Sequence, residues 1–265
     1  MDAVYLLKHS AAEDLEIRYS LRSVERHLPW IRKVWIVGDR PRFLVEDKSF
    51  VEFVSYDRLA WIGGYRSPVK NMLLGLFLTS LLPELDQEFL LFCDDFILLE
   101  DVAIEDAKKA RFIQDLSEVT NRGKGLWKES LWRTYDVLKR LKYPGFNFAV
   151  HIPTYLTRKW VFDAFAEFRD FVSEDRYYGL LAETAILNYV LRHHGLNMVR
   201  RSTEDWYAGF HEQAAVYDDI VDKSAGKRFL NFDDKAFSPD MRRFLAERFP
   251  QHCRYETPRE ESVDK

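Results

Sequence analysis

Two pairs of adjacent aspartates, Asp94-Asp95 and Asp233-Asp234, carry the most chemical potential in the chain. The first follows the apolar run Phe89-Leu90-Leu91-Phe92, and the second follows Phe229 to Phe232. A strand that ends on carboxylates places them at a sheet edge, where ligand clefts form. Hard cations such as Mg²⁺ take oxygen ligands and are commonly shared between one or two carboxylates and a substrate's phosphates. Two such pairs in one small fold can converge on the same metal and diphosphate and stabilise charge moving to a leaving group. The competing reading of an Asp-Asp pair is a turn cap. The buried strand ahead of Asp94 favours a site.

His151 is the third candidate. The run Phe146 to Val150 reads as a strand that delivers His151 and then Pro153 at its end, where a rigidly held imidazole can act as general base for a hydroxyl. A purely structural histidine is the alternative. His193-His194 and His252 lack a metal-ligand spacing.

These residues need an α/β scaffold to bring them together, and the chain predicts one. Ala3 to Leu7 is a strand; Ile17, Leu21, Val24 and Leu28 recur at helical spacing; Val34-Trp35-Ile36-Val37 is a second strand. Gly38-Asp39-Arg40-Pro41 breaks that strand into a loop and puts Asp39 where a nucleotide can be met. Val51 to Val54 is a third strand. Ser67-Pro68 reads as an N-cap with proline at the first helical position of a helix running to about Leu82. Helices are expected at Leu156 to Phe171 and Gly179 to His193, and Ser238-Pro239 opens a last one through Arg248.

Composition restricts the alternatives. The 265 residues, 47% hydrophobic and 15% aromatic, suffice for a sizeable core and for a pocket that stacks a base or sugar ring. The net charge of -4 excludes a surface built wholly for nucleic acid. Two cysteines, Cys93 and Cys253, make neither a disulfide framework nor a Cys-rich zinc site and suggest a reducing compartment. The N-terminus reads as a strand rather than a signal peptide, and no apolar run approaches the ~20 residues that span a bilayer, so a cytoplasmic protein with no membrane span is expected. With no repeat or Gly/Ser linker, the expectation is one domain over 1–265 with an insertion at about 100–145. That insertion carries Arg122, Lys124, Lys128, Arg133, Lys139, Arg140 and Lys142 in its second half, as a solvated face or as a surface for a polyanionic acceptor.

The stretch from Glu16-Ile17-Arg18-Tyr19-Ser20-Leu21-Arg22 through His27-Leu28-Pro29-Trp30 to Val34-Trp35-Ile36-Val37 resembles the second conserved region of the Stealth family. That family includes capsule-polymer hexose-1-phosphate transferases and the lysosomal-enzyme N-acetylglucosamine phosphotransferase. Asp2-Ala3-Val4-Tyr5 resembles its first region, and Ser67-Pro68 with Phe92-Cys93-Asp94-Asp95 the rest of the second. His151-Ile152-Pro153 resembles the third, and Phe229 to Asp234 with Phe244-Leu245, Phe249-Pro250 and Tyr255-Glu256 the fourth. The chain departs from the pattern at Leu6-Leu7-Lys8-His9, at Asp39-Arg40-Pro41, and at Cys93 and Phe232, which stand where the family prefers asparagine.

The resemblance implies an α/β, Rossmann-like glycosyltransferase type A (GT-A-like) architecture with the helical, basic insertion. It implies catalytic roles for Asp94, Asp95, His151 and Arg176, and Mg²⁺ or Mn²⁺ held by Asp95, Asp233 and Asp234. Asp39, Arg18, Arg22 and Ser67 fall on the donor side. The expected reaction moves a sugar-1-phosphate from a nucleotide-sugar donor to a hydroxyl of a glycan or other acceptor. Transfer of the bare sugar to a glycan or a modified nucleic-acid base is the alternative, and a non-enzymatic glycan- or nucleic-acid-binding module the third.

Overall fold

The computed structural model describes residues 1–64, 71–172, 179–200 and 207–257. Its main sheet has five strands in the order β3-β2-β1-β4-β7. These are β1 (Asp2–Leu7), β2 (Val34–Gly38), β3 (Val51–Ser55), β4 (Glu88–Phe92) and β7 (Thr154–Thr157). The first four run parallel, and β7 lies antiparallel on β4. Parallel strands need both faces covered, and the alternation along β1 supplies both. Val4 joins Trp35, Val37 and Val54 in one core cluster, whereas Ala3, Tyr5 and Leu7 join Val34, Ile36 and Val51 in the other.

Helix α1 (Leu15–His27) lays Ile17, Leu21 and Val24 into the second cluster. The first cluster is closed by α2 (Tyr56–Gly63), α3 (Met72–Ser80), α6 (Arg158–Phe168) and α7 (Ala182–His193). At Gly38 the backbone sits so close to β1 that a Cβ would lie 2.1 Å from the Leu7 carbonyl, and its φ of +122° also requires glycine.

A second sheet, β5-β10-β9, uses β5 (Phe96–Leu98), β10 (Phe229–Phe232) and β9 (Tyr207–Phe210). It builds a third cluster with α8 (Tyr217–Ser224) and α9 (Pro239–Arg248). Ser238 caps α9 by accepting from the Met241 N–H at 3.1 Å, with Pro239 at the first position as expected. A parallel pair, β6 (Ala110–Phe112) with β8 (Met198–Arg200), stands apart.

Three expectations change. The helix foreseen from Ser67-Pro68 begins at Met72, where Asn71 accepts from the Leu74 N–H at 3.0 Å; Ser67 and Pro68 lie outside the described residues. A separate helix, α2, precedes it, opened by Ser55 and closed by Gly64 at φ +73°. Phe146 to Val150 is not a strand but a buried irregular segment touching Asp115 through one bridge. Its backbone meets Ile113 and Gln114 through hydrogen bonds at Asn147 of 2.8 and 2.9 Å, and the strand is the later Thr154–Thr157, whose threonines and tyrosine suit a half-covered edge.

The basic stretch holds α4 (Ile104–Ala107), β6 and α5 (Leu126–Arg140). Much of its charge is tied to the protein. Arg122 forks onto Asp136 at 3.1 and 3.0 Å, Arg133 donates to the Gly179 carbonyl at 3.1 Å, and Arg140 lies 5.4 Å from the Phe171 ring centre.

Candidate active site

The Asp94-Asp95 pair forms the turn that passes the chain from one sheet to the other. β4 ends at Phe92, the Phe96 N–H closes the turn onto the Cys93 carbonyl at 3.2 Å, and β5 begins at Phe96. β10 runs antiparallel to β5 with Asn231 opposite Phe96. The ladder ends there, so strand pairing leaves the Asp94-Asp95 turn and the Asp233-Asp234 end of β10 at the same edge of the small sheet.

Both pairs and His151 open onto one cleft of about 530 Å³. His151 holds a φ of +55°, a left-handed backbone that a non-glycine residue adopts at a cost of roughly 1–2 kcal/mol. It precedes β7 instead of ending a strand, and its ring centre is 5.6 Å from Trp127 and 5.9 Å from His211. Burial lowers the pKa of His211.

The cleft floor is strongly acidic. Burial, then repulsion from Glu16 and Asp234, pushes the Asp94 carboxyl up to about 6. Burial and the charge of Asp94 raise Asp95 well above the usual carboxylate range, against the hydrogen bond it accepts from Asn231 at 2.7 Å. Burial also raises Glu183, and burial with the Asp95 charge raises the Cys93 thiol, which is thereby kept from acting as a thiolate.

Asp233 and Asp234 differ. Both oxygens of Asp233 accept backbone N–H groups, from Ala236 at 2.9 Å and Glu212 at 2.7 Å, so this carboxylate organises two loops. Asp234 is exposed at the cleft wall and close enough to raise both Asp94 and Asp95.

The donor-side residues are not gathered here. Arg22 donates to both Glu256 oxygens at 2.6 and 2.8 Å and to the Phe249 carbonyl at 2.8 Å. Arg18 stands 3.6 Å from Glu256 and 4.5 Å from the Phe43 ring centre. Both serve the C-terminal segment, because a buried carboxylate at Glu256 needs charged partners. Asp39 sits at the end of β2 as foreseen, but outside the cleft lining, accepting the His9 N–H at 2.8 Å. Arg176 and Ser67 lie outside the described residues.

Sequence reasoning missed Glu16, Glu183, Trp127, Lys235 and Asn231. The first four line the cleft, and Asn231 holds Asp95 from behind. Glu16 and Glu183 each occupy the first turn of a helix, a place where acidic residues favour the helix dipole regardless of function. Asn231, two positions before Asp233, was the one legible signal: a lone amide inside an apolar strand calls for a partner.

The donor set suits a hard divalent cation, since a bound positive charge relieves the repulsion between buried carboxylates. Among the described residues no three His, Cys, Asp or Glu side chains converge on one point.

The fold is α/β and GT-A-like, as expected. A crystal structure of an active-site mutant of LgtC aligns over 98% of both chains with a TM-score of 0.50 at 10% identity. Residues 11–116 match Stealth protein CR2, conserved region 2. The alpha/beta subunits of N-acetylglucosamine-1-phosphotransferase from Mus musculus and from Homo sapiens are each 33% identical over 97 residues. Those residues make up 34% of this chain and 7% of either relative, so the chain spans a small part of their length. Among the described residues no helix is long and apolar enough to cross a membrane.

Proposed function

We propose that this chain is a metal-assisted transferase that moves a sugar-1-phosphate from a nucleoside-diphosphate sugar to an acceptor hydroxyl. The observation that carries the reading is the cleft in which the Asp94-Asp95 turn between the two sheets meets Asp234 and His151. It is supported by the GT-A architecture and by the Stealth conserved region 2 that contributes Glu16, Asp94 and Asp95.

Two of the carboxylates of Asp94, Asp95 and Asp234 would hold Mg²⁺ or Mn²⁺ together with the donor's phosphates, and Asp233 would brace the loops around them. Bound there, the cation offsets negative charge on the diphosphate. His151 takes the proton of the acceptor hydroxyl as its oxygen attacks the phosphorus next to the sugar, and a nucleoside monophosphate leaves. Trp127, whose ring stands beside His151, gives an apolar face for a sugar ring, and Glu183 accepts or donates a hydrogen bond to sugar hydroxyls. Arg176 is proposed to add positive charge at the phosphates. A glycan hydroxyl fits this acidic, aromatic cleft better than a nucleic-acid backbone does, because phosphate tracking needs free Lys and Arg.

The test is incubation with a panel of nucleotide sugars and Mn²⁺, reading the released nucleotide by mass spectrometry. Monophosphate is the expected product. Diphosphate would assign transfer of the bare sugar instead, and absence of turnover and of nucleotide binding across the panel would overturn both.

A further inference from the structure

A second cleft, of about 270 Å³, is lined by Gly209, Phe210, His211, Gln213, Asp219 and Lys223. His151 lines the main cleft and His211 the second, and their ring centres are 5.9 Å apart. The loop between them is held in place at an energetic cost. Glu212 adopts a φ of +71°, and its N–H donates to Asp233 Oδ2 at 2.7 Å, so a carboxylate from the main cleft fixes the loop that carries His211. Gly209 contributes by what it lacks: a Cβ there would come within 3.2 Å of His211 Nε2, so the bare backbone leaves the imidazole room to lie across β9.

The lining defines the class of ligand. Asp219 and Lys223 stand one turn apart on α8 and carry one charge of each sign, while Gln213 both donates and accepts. Such a set matches vicinal hydroxyls, each of which is donor and acceptor, and gives no net charge to attract a phosphate. Lys223 Nζ lies 5.1 Å from the Phe210 ring centre, which holds the ammonium at the wall. The volume lies below the ~300 Å³ at which drug-sized sites begin, a size for one ring rather than a nucleotide.

We propose that this second cleft is a sugar subsite for the acceptor: it takes one uncharged, hydroxyl-rich ring and presents a hydroxyl past His211 to His151. The direction of transfer rests on the function proposed above; the binding of a sugar does not. The full chain would be examined by saturation-transfer-difference NMR with the methyl glycosides of glucose, galactose, mannose and N-acetylglucosamine, without donor. Saturation of at least one glycoside is expected, weakened at least tenfold in the Asp219→Ala/Lys223→Ala variant, whose melting temperature confirms folding. Saturation of none, or saturation that persists in the double variant, overturns the subsite. Calorimetric titration of the wild type with UDP, CDP and GDP in Mn²⁺ separates the two proposals: no heat with any of them sinks the transferase reading and leaves the NMR result standing.

Discussion

Asn231 Nδ2 donates to Asp95 Oδ2 across 2.7 Å, tying the central strand of the small sheet to the turn that leaves the large one. Asn231 is fully buried, and its Oδ1 has no hydrogen-bond partner among the described residues. An unmatched buried acceptor costs roughly 1–3 kcal/mol, so this amide is poorly explained by stability and well explained by the carboxylate it orients.

Asn231→Leu should therefore leave the melting temperature close to wild type, because the unmatched oxygen goes together with the lost donor. The Mn²⁺ concentration for half-maximal turnover should rise about 10–100-fold, the usual effect of removing a group that orients a metal ligand. Unchanged Mn²⁺ dependence would remove Asn231 from the site.

Asp94 supplies a stability test that needs no substrate. Its carboxyl is pushed up to about 6 in the folded chain, against ~3.9 for a free aspartate. The folded state then binds the proton more tightly than the unfolded one, so stability falls as pH rises between those two values and stays lower above them. In EDTA, Asp94→Asn should raise stability at pH 7.5 by about 1–3 kcal/mol, with the gain vanishing near pH 4. A destabilised variant at pH 7.5 would make Asp94 a structural cap. With Mn²⁺ in place of EDTA, turnover should be lost in this variant.

His151→Asn retains a residue type that tolerates a left-handed backbone, and at φ +55° it should fold normally. Loss of a positioned general base should slow transfer by about 10²–10⁴. Near-normal turnover with a normal pH profile would show that another group takes the proton.

Arg22 and Glu256 give the control outside the cleft. The Glu256 side chain is 1% exposed and that of Arg22 9% exposed. Breaking a buried pair typically costs about 3–5 kcal/mol, so Arg22→Met and Glu256→Gln should each lower the melting temperature. Burial works to raise the Glu256 pKa, but hydrogen bonds from Arg22 and Cys253 hold it below its ordinary value. The pair's contribution is thus present at neutral pH and lost as pH falls through the folded-state pKa. In whatever remains folded, donor Michaelis constants should stay as in wild type. A raised donor constant without destabilisation would return Arg22 to the donor site.

Local sequence determined the elements whose register is written in side-chain periodicity. β1, α1, β2, β3, β4, β10 and α9 all fall where alternation, helical spacing or the Ser238-Pro239 cap put them, because burial of one stripe or face is decided within a few residues. The two Asp-Asp pairs were legible for the same reason: each ends a strand that no other structure explains.

Tertiary structure decided the rest. Phe146 to Val150 has the composition of a strand but meets residues 113–115 through scattered backbone hydrogen bonds and one bridge, whereas Thr154–Thr157 finds a regular ladder on β4. Arg18 and Arg22 look like phosphate ligands until Glu256, more than 230 positions away, proves to be the partner of Arg22. Glu16, Glu183 and Trp127 reach the cleft only through packing of α1, α7 and α5. Strand register joins Asp94-Asp95 to Asn231 and Asp233, and register is a property of pairs of strands, which no single stretch of chain contains.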